Sequence, residues 1–241
     1  MSERVVITGG TGFIGTALCR ELLRRGREPV VLTRRPERAR VPAGARAVGW
    51  DGRTAAGWLA EADGALAIVN LAGAGIADGR WTPERKRLIL ESRLRASAAV
   101  VEAIERAERR PRVVVQGSAV GFYGDAGDRR CDESDPPGEG FLAETAAAWE
   151  AATAPVEELD ARRVVIRTSL VLGPGGGFLS RLAPLYRLGL GGPAGGGRQW
   201  MSWIHLDDEA AAIRFLVDRD DLSGPFNLAA PGPVRNAEFA R

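Results

Sequence analysis

The chain has 241 residues, 45% of them hydrophobic, and a formal net charge of +2 from 33 basic and 31 acidic residues. That length suits one large domain with a full apolar core. The interspersed charges exclude the basic cluster that nucleic acid requires, no apolar run approaches the ~20 residues that cross a bilayer, the N-terminus lacks a secretory layout, and Cys19 and Cys131 make neither a disulfide framework nor a metal site, so a cytoplasmic protein is expected.

In chain order, Arg4–Thr8 is a short apolar run and reads as a buried strand. The residues from Gly12 to Arg25 place Phe13, Ile14, Leu18, Leu22 and Leu23 on one helical face, and Gly26 stands where a helix ends. Further strands are expected at 29–33, 45–50, 65–71, 112–116 and 163–167. A short helix is expected at 55–62 and a long one at 83–107, the latter opened by Thr82 as N-cap and Pro83 in its first turn. The segment 141–159 reads as one further helix. Apolar strands alternating with helices predict a parallel sheet covered on both faces, the doubly wound Rossmann α/β fold.

Beyond Thr168 the pattern loosens into the glycine-rich stretches 173–177 and 189–197, a helix near 178–188, another at 207–218 and a strand at 226–228. The expected division is a nucleotide-binding domain over 1–167 and a small C-terminal substrate lobe over 168–241. The last residues, Asn236 to Arg241, read as the first turns of a helix with Asn236 as N-cap. A truncated lobe, with an apolar face that invites a homodimer, is the corresponding expectation.

Gly9, Gly12 and Gly15 lie between the first strand and the first helix, the context a dinucleotide-binding loop requires. Gly9 permits the tight turn, Gly12 the approach of a pyrophosphate and Gly15 close helix–strand packing, while Phe13 and Ile14 open a helix whose free N–H groups attract phosphate. In NAD-specific domains an acid about 20 residues further on takes the ribose 2′-hydroxyl. Here that place reads Thr33-Arg34-Arg35, with no carboxylate before Glu37. Guanidinium groups bind a 2′-phosphate, so NADP(H) is the expected cofactor. Asp51 reads equally as an acceptor for the adenine edge and as a turn residue in Trp50-Asp51-Gly52.

The run Thr8–Gly15 resembles the extended short-chain dehydrogenases. So do Asn70-Leu71-Ala72-Gly73, Gly117-Ser118 with Tyr123-Gly124, and Trp203–Asp208 (WIHLDD). A narrower resemblance, carried by Ala77–Thr82, Ser92-Arg93, Gly117–Asp125, Trp149-Glu150, Leu188–Gln199 and Gly224–Asn227, is to the sugar nucleotide epimerase-like proteins of short-chain dehydrogenase family 39U. It implies NADP(H) binding, with Leu71, Ala72 and Gly73 along the cofactor, Arg93 where relatives have an active-site Asn, and Thr168 and Leu170 completing the cofactor set. It leaves the substrate undefined. Such enzymes normally pair a Tyr with a Lys one helical turn later. This chain has a single lysine, Lys86, and Phe141 and Thr145 stand in the two places.

Ser118 is therefore the expected catalytic hydroxyl, with Tyr123 the nearest replacement acid. His205, the one histidine, is expected to be structural, and Asp207 and Asp208 to serve a helix start. Three readings follow: an oxidoreductase or epimerase-like enzyme with an atypical proton relay, a non-catalytic NADP(H)-binding sensor or regulator, and an enzyme whose catalytic groups lie in a further C-terminal segment.

Overall fold

The computed structural model describes residues 3–241. Strands β1 (Arg4–Thr8), β2 (Glu28–Thr33), β3 (Arg46–Gly49), β4 (Ala67–Asn70), β5 (Val113–Ala119) and β6 (Arg162–Thr168) alternate with helices α1 (Phe13–Arg24), α2 (Leu59–Ala62), α3 (Pro83–Arg106) and α4 (Phe141–Ala151). Then follow β7 (Leu170–Leu172), α5 (Gly177–Arg187), β8 (Trp200–Met201), β9 (Trp203–His205), α6 (Leu206–Asp218), β10 (Gly224–Leu228), β11 (Val234–Arg235) and α7 (Asn236–Phe239). Seven parallel strands form one sheet in the order β10-β6-β5-β4-β1-β2-β3. The fold is the expected Rossmann-like α/β sheet.

Side-chain alternation along each strand splits the core between the two faces. Val5 and Ile7 of β1 join Leu18 and Leu22 of α1 and Ile213 and Leu216 of α6. Val6 points the other way, to Ile104 and Val100 of α3, Trp58 and Val156. Beyond residue 167 the chain does not leave the sheet, because β10 pairs with β6 and α6 lies beside α1 on the same core. The remainder of the tail makes two small sheets, β7 with β9 and β8 with β11. Among the described residues no helix is long and apolar enough to cross a membrane.

Three elements differ from expectation. The helix expected over 141–159 ends at Ala151 and restarts as a 3-10 turn, Ala154–Leu159. Pro155 is the cause: it lacks an N–H and its ring clashes with the carbonyl four residues back, that of Ala151. The helix expected over 55–62 shrinks to α2, because Gly57 takes a positive φ of 83° that breaks the run. Asn236 is not the N-cap of α7. Its Oδ1 accepts the Ala194 N–H at 2.7 Å, and Glu238 instead closes the helix start by accepting the Arg235 N–H at 3.1 Å.

Candidate functional site

The strand order reverses between β1 and β4, and a crevice at such a switch point, beyond the carboxyl ends of the strands, is where ligands bind in this fold. Gly9, leaving β1, adopts φ +70°, and a Cβ there would lie 2.8 Å from the Leu71 carbonyl. A Cβ on Gly15 would stand 2.5 Å from Gly10 Cα and Gly9 O, so α1 sits directly against the loop. Gly10, which the sequence analysis passed over, is as constrained: its Cβ would meet both Val31 methyls at 2.8 Å. Gly12 caps α1 without a side chain, and no acid lies in the first turn, which leaves its N–H groups and positive end open to an anion. Phe13 packs under Gly173, Gly176 and Gly177, which explains that second run of glycines, and Ile14 is half-buried.

A fully buried polar cluster holds the loop beyond β4 to β1. Thr8 Oγ1 donates to Asn70 Oδ1 at 2.6 Å and accepts the Ala72 N–H at 3.1 Å, while the Leu71 N–H reaches Thr8 O at 3.2 Å. Asn70 Nδ2 in turn donates to Gln116 Oε1 at 2.9 Å and Ser97 Oγ at 3.2 Å. The Leu71–Gly73 wall is thus pinned from behind.

At the end of β2, Thr33 Oγ1 accepts the Arg35 N–H at 3.4 Å. Arg34 and Arg35 are exposed, and among the described residues neither forms an ion pair. Glu37 is turned to Arg38 at 3.9 Å. Both oxygens of Asp51 serve its own turn, accepting from the N–H of Arg53 and from the N–H and Oγ1 of Thr54, and the Thr54 N–H foremost holds the carboxyl below its usual range. Thr168, at the end of β6, donates from Oγ1 to Glu209 Oε1 at 2.7 Å, and the Leu170 N–H bonds to Ser202 O. Neither lies free.

Ser118, near the end of β5, donates to Glu150 Oε1 at 2.6 Å. Glu150 is gripped by the Arg167 fork, Nε to Oε1 at 2.9 Å and Nη2 to Oε2 at 3.0 Å. Arg167, 4% exposed, lies 3.6 Å over the Phe122 ring and donates to Tyr123 Oη at 2.9 Å. Burial opposes its charge, but the bonds to Glu150 and Tyr123 outweigh that and hold its pKa above the ordinary value. Tyr123 Oη in turn donates a hydrogen bond to Asn227 Oδ1 at 2.7 Å. Ser118 and Tyr123 are therefore in one network, and Tyr123 has both hydrogen-bonding directions filled.

Arg93, on α3, lies 4.8 Å over Trp149 and against Gly73, donating from Nη1 to Ala74 O and Ile89 O. Phe141 heads α4, stacked edge-on with Trp81 at 5.4 Å, and the Lys86 ammonium stands 5.1 Å from its ring centre. His205 accepts the Asp207 N–H at 3.2 Å and so caps α6, whose first turn carries Asp207, Asp208 and Glu209. Glu209 is fully buried with Oε2 unpartnered, and burial lifts its carboxyl to about 7. Sequence reasoning gave no role to Arg167 and Glu209, and quoted Glu150 only as part of a resemblance; their partners lie in other elements, so sequence carries little signal of them.

The model of the NAD dependent epimerase/dehydratase family matches residues 5–229. The chain belongs to this family. Among family relatives, epimerase family protein Mb2239 of Mycobacterium bovis is 40% identical over 238 residues, covering 98% of this chain and 76% of its own length. A crystal structure of human epimerase family protein SDR39U1 (isoform 2) with NADPH superposes with TM-score 0.85 at 34% identity, covering 98% of this chain and 77% of that one. The nucleoside-diphosphate sugar epimerase from Corynebacterium glutamicum gives TM-score 0.83 at 34% identity, covering 100% of this chain and 49% of that one.

Proposed function

We propose that this epimerase-family chain binds NADP(H) at the β1–β4 switch point. On this reading it acts as an oxidoreductase or epimerase-like enzyme on a small carbonyl or sugar-nucleotide-like substrate. The observation that carries the cofactor reading is the pair of unpaired guanidinium groups, Arg34 and Arg35, at the end of β2 where an NAD-specific domain needs an acid. The residues fit the group in other respects: the acid-free, side-chain-free start of α1 suits a pyrophosphate, and any side chain at Gly9 or Gly15 would collide with backbone. The human relative with NADPH supports the same choice.

Gly9, Gly12, Phe13, Ile14 and Gly15 hold the pyrophosphate by backbone. Thr33, Arg34 and Arg35 take the 2′-phosphate, and Leu71, Ala72, Gly73 and Arg93 form the wall. Asp51, Thr168 and Leu170 keep the adenine and nicotinamide ends in shape through the turns and strand contacts they already make. NADP(H) bound there supplies or removes a hydride. Ser118 donates its one hydrogen bond to Glu150, so toward a substrate it offers lone pairs and accepts from a hydroxyl. Glu150 and Arg167 fix that polarity, and Tyr123 extends the network to Asn227.

A non-catalytic NADP(H) sensor is the second reading, favoured by Phe141 in the place of a proton donor and by the committed Tyr123 hydroxyl. Calorimetry tests the cofactor assignment. NADPH should bind at least about tenfold tighter than NADH, some 1.4 kcal/mol, and Arg34→Asp should erase the gap. Equal affinities in the parent would sink it. NADP(H)-linked turnover of an alcohol or ketone panel, slowed by Ser118→Ala, separates enzyme from sensor.

A further inference from the structure

Helices α3 and α4 run side by side, and their facing rows match rung for rung. Lys86 and Arg93, seven residues apart on α3, lie over Phe141 and Trp149, eight apart on α4, at 5.1 and 4.8 Å. Both spacings are about two helical turns, so each pair occupies one face. An aromatic face attracts a cation but leaves its outward N–H groups unspent.

These cations have no anion. Among the described residues Lys86 makes no hydrogen bond or ion pair, and Arg93 is bonded only to backbone carbonyls through Nη1. Burial alone depresses the Arg93 pKa, with no carboxylate opposing it. The contrast with Arg167, two strands away and neutralised by Glu150, is direct. Lys86 and Arg93 are both half-buried, so each keeps part of its side chain at the surface. The Trp149 Nε1 donor beneath Arg93 is buried and unpartnered. The seam thus carries donors on Lys86, Arg93 and Trp149. Asp78 pairs with Arg85 and Arg181, and Glu91 with Arg95, rather than with Lys86 or Arg93. Arg93 touches Gly73, in the wall proposed for the cofactor, so the seam opens beside that crevice.

We infer that the α3–α4 seam is the subsite for an anionic group of the substrate, a carboxylate or phosphate gripped by Arg93 and Lys86. The assignment rests on the NADP(H) reading for its place beside the reacting centre. A substrate so recognised is an acidic or phosphorylated alcohol, its anion on the seam and its hydroxyl toward Ser118. The rungs lie roughly 10 Å apart along α3, at ~1.5 Å per residue, which suits an extended anion or two separate acidic groups.

The probes are inorganic phosphate and succinate, titrated at constant ionic strength into protein already saturated with NADPH, with calorimetry as the readout. Saturable binding is expected in the parent. Lys86→Met and Arg93→Gln should each weaken it by at least about tenfold, the loss of a hydrogen bond to a charged group. Lys86→Met, at a half-buried surface position, keeps the test open if Arg93→Gln fails to fold. No binding by the NADPH-bound parent, or unchanged affinity in Lys86→Met, overturns the proposal. Phosphate that binds the free protein but is displaced by NADPH also overturns it, since the anion is then the cofactor's own. Failure of NADPH to bind at the first step is a separate result. It removes the cofactor reading, and the titration on the free protein still decides whether the seam holds an anion.

Discussion

Replacing Glu150 by Leu isolates the cost of the buried pair beneath Ser118. Arg167 is 4% exposed and loses two contacts of 2.9 and 3.0 Å, while Ser118 loses its acceptor, Glu150 Oε1. Tyr123 Oη and Glu133 O remain, but both are neutral. Removing one partner of a buried ion pair costs about 3–5 kcal/mol, because the other charge stays desolvated. For a chain of this size each kcal/mol moves Tm by about 2–4 °C, so the variant should melt roughly 6–20 °C below the parent. Arg167→Met should fall in the same range. The double variant should lose much less than the sum, since two apolar side chains leave no orphaned charge. Urea unfolding of the four proteins, with NADP(H) absent, closes the cycle. Additivity within about 0.5 kcal/mol, or a Glu150→Leu loss below about 1 kcal/mol, would refute the view that the pair is a coupled structural unit.

Glu209 gives a pH dependence of defined sign. Burial lifts its folded carboxyl from 4.5 to about 7, so below about pH 4.5 both states carry the proton and above it the unfolded chain ionises first. Stability should fall as pH rises from 4.5 to 7, by up to about 3 kcal/mol, and stay flat above. Glu209→Gln should lack this component, so urea midpoints of parent and variant should diverge between pH 5 and pH 8; parallel profiles would contradict the assignment. Thr8→Val leaves the buried Asn70 Oδ1 and Ala72 N–H without their partner, a loss of roughly 2 kcal/mol, and should weaken NADPH binding by loosening the Leu71–Gly73 wall. Wild-type affinity in Thr8→Val would show that the wall stands without this hydrogen bond.

The sheet was legible because most of its strands are apolar runs, and the start of α3 is marked by Thr82, whose Oγ1 accepts the Arg85 N–H at 3.2 Å. Gly15 was legible because its constraint comes from the loop itself, and Gly9 because its turn needs a positive φ of 70°, although what its Cβ would strike is the distant Leu71 carbonyl. Gly10 was not, because what it would strike is Val31 on the next strand. The helix break at Ala151 was readable from Pro155 and was overridden by the apolar periodicity on either side. Asn236 misled because its side chain answers to Ala194, a tertiary partner, before its own helix.

The candidate site shows the same divide in its chemistry. Ser118 could be placed from its strand, but which way its proton points depends on Glu150, 32 residues on, and Glu150 is held in place by Arg167. Polarity of this kind is a property of a chain of partners. The sequence nevertheless carries a clue to it. Arg167 closes the apolar run RVVIR and Glu150 interrupts the alanine-rich helix FLAETAAAWEA, each a charge where burial would otherwise be expensive. Two such charges of opposite sign, in neighbouring elements, are best explained by each other. Arg93 breaks that rule: it is held by backbone carbonyls and an indole face, with no acid across from it. A fold that neutralises Arg167 internally and leaves Arg93 without a counter-charge has reserved the second cation for something that is not part of the chain.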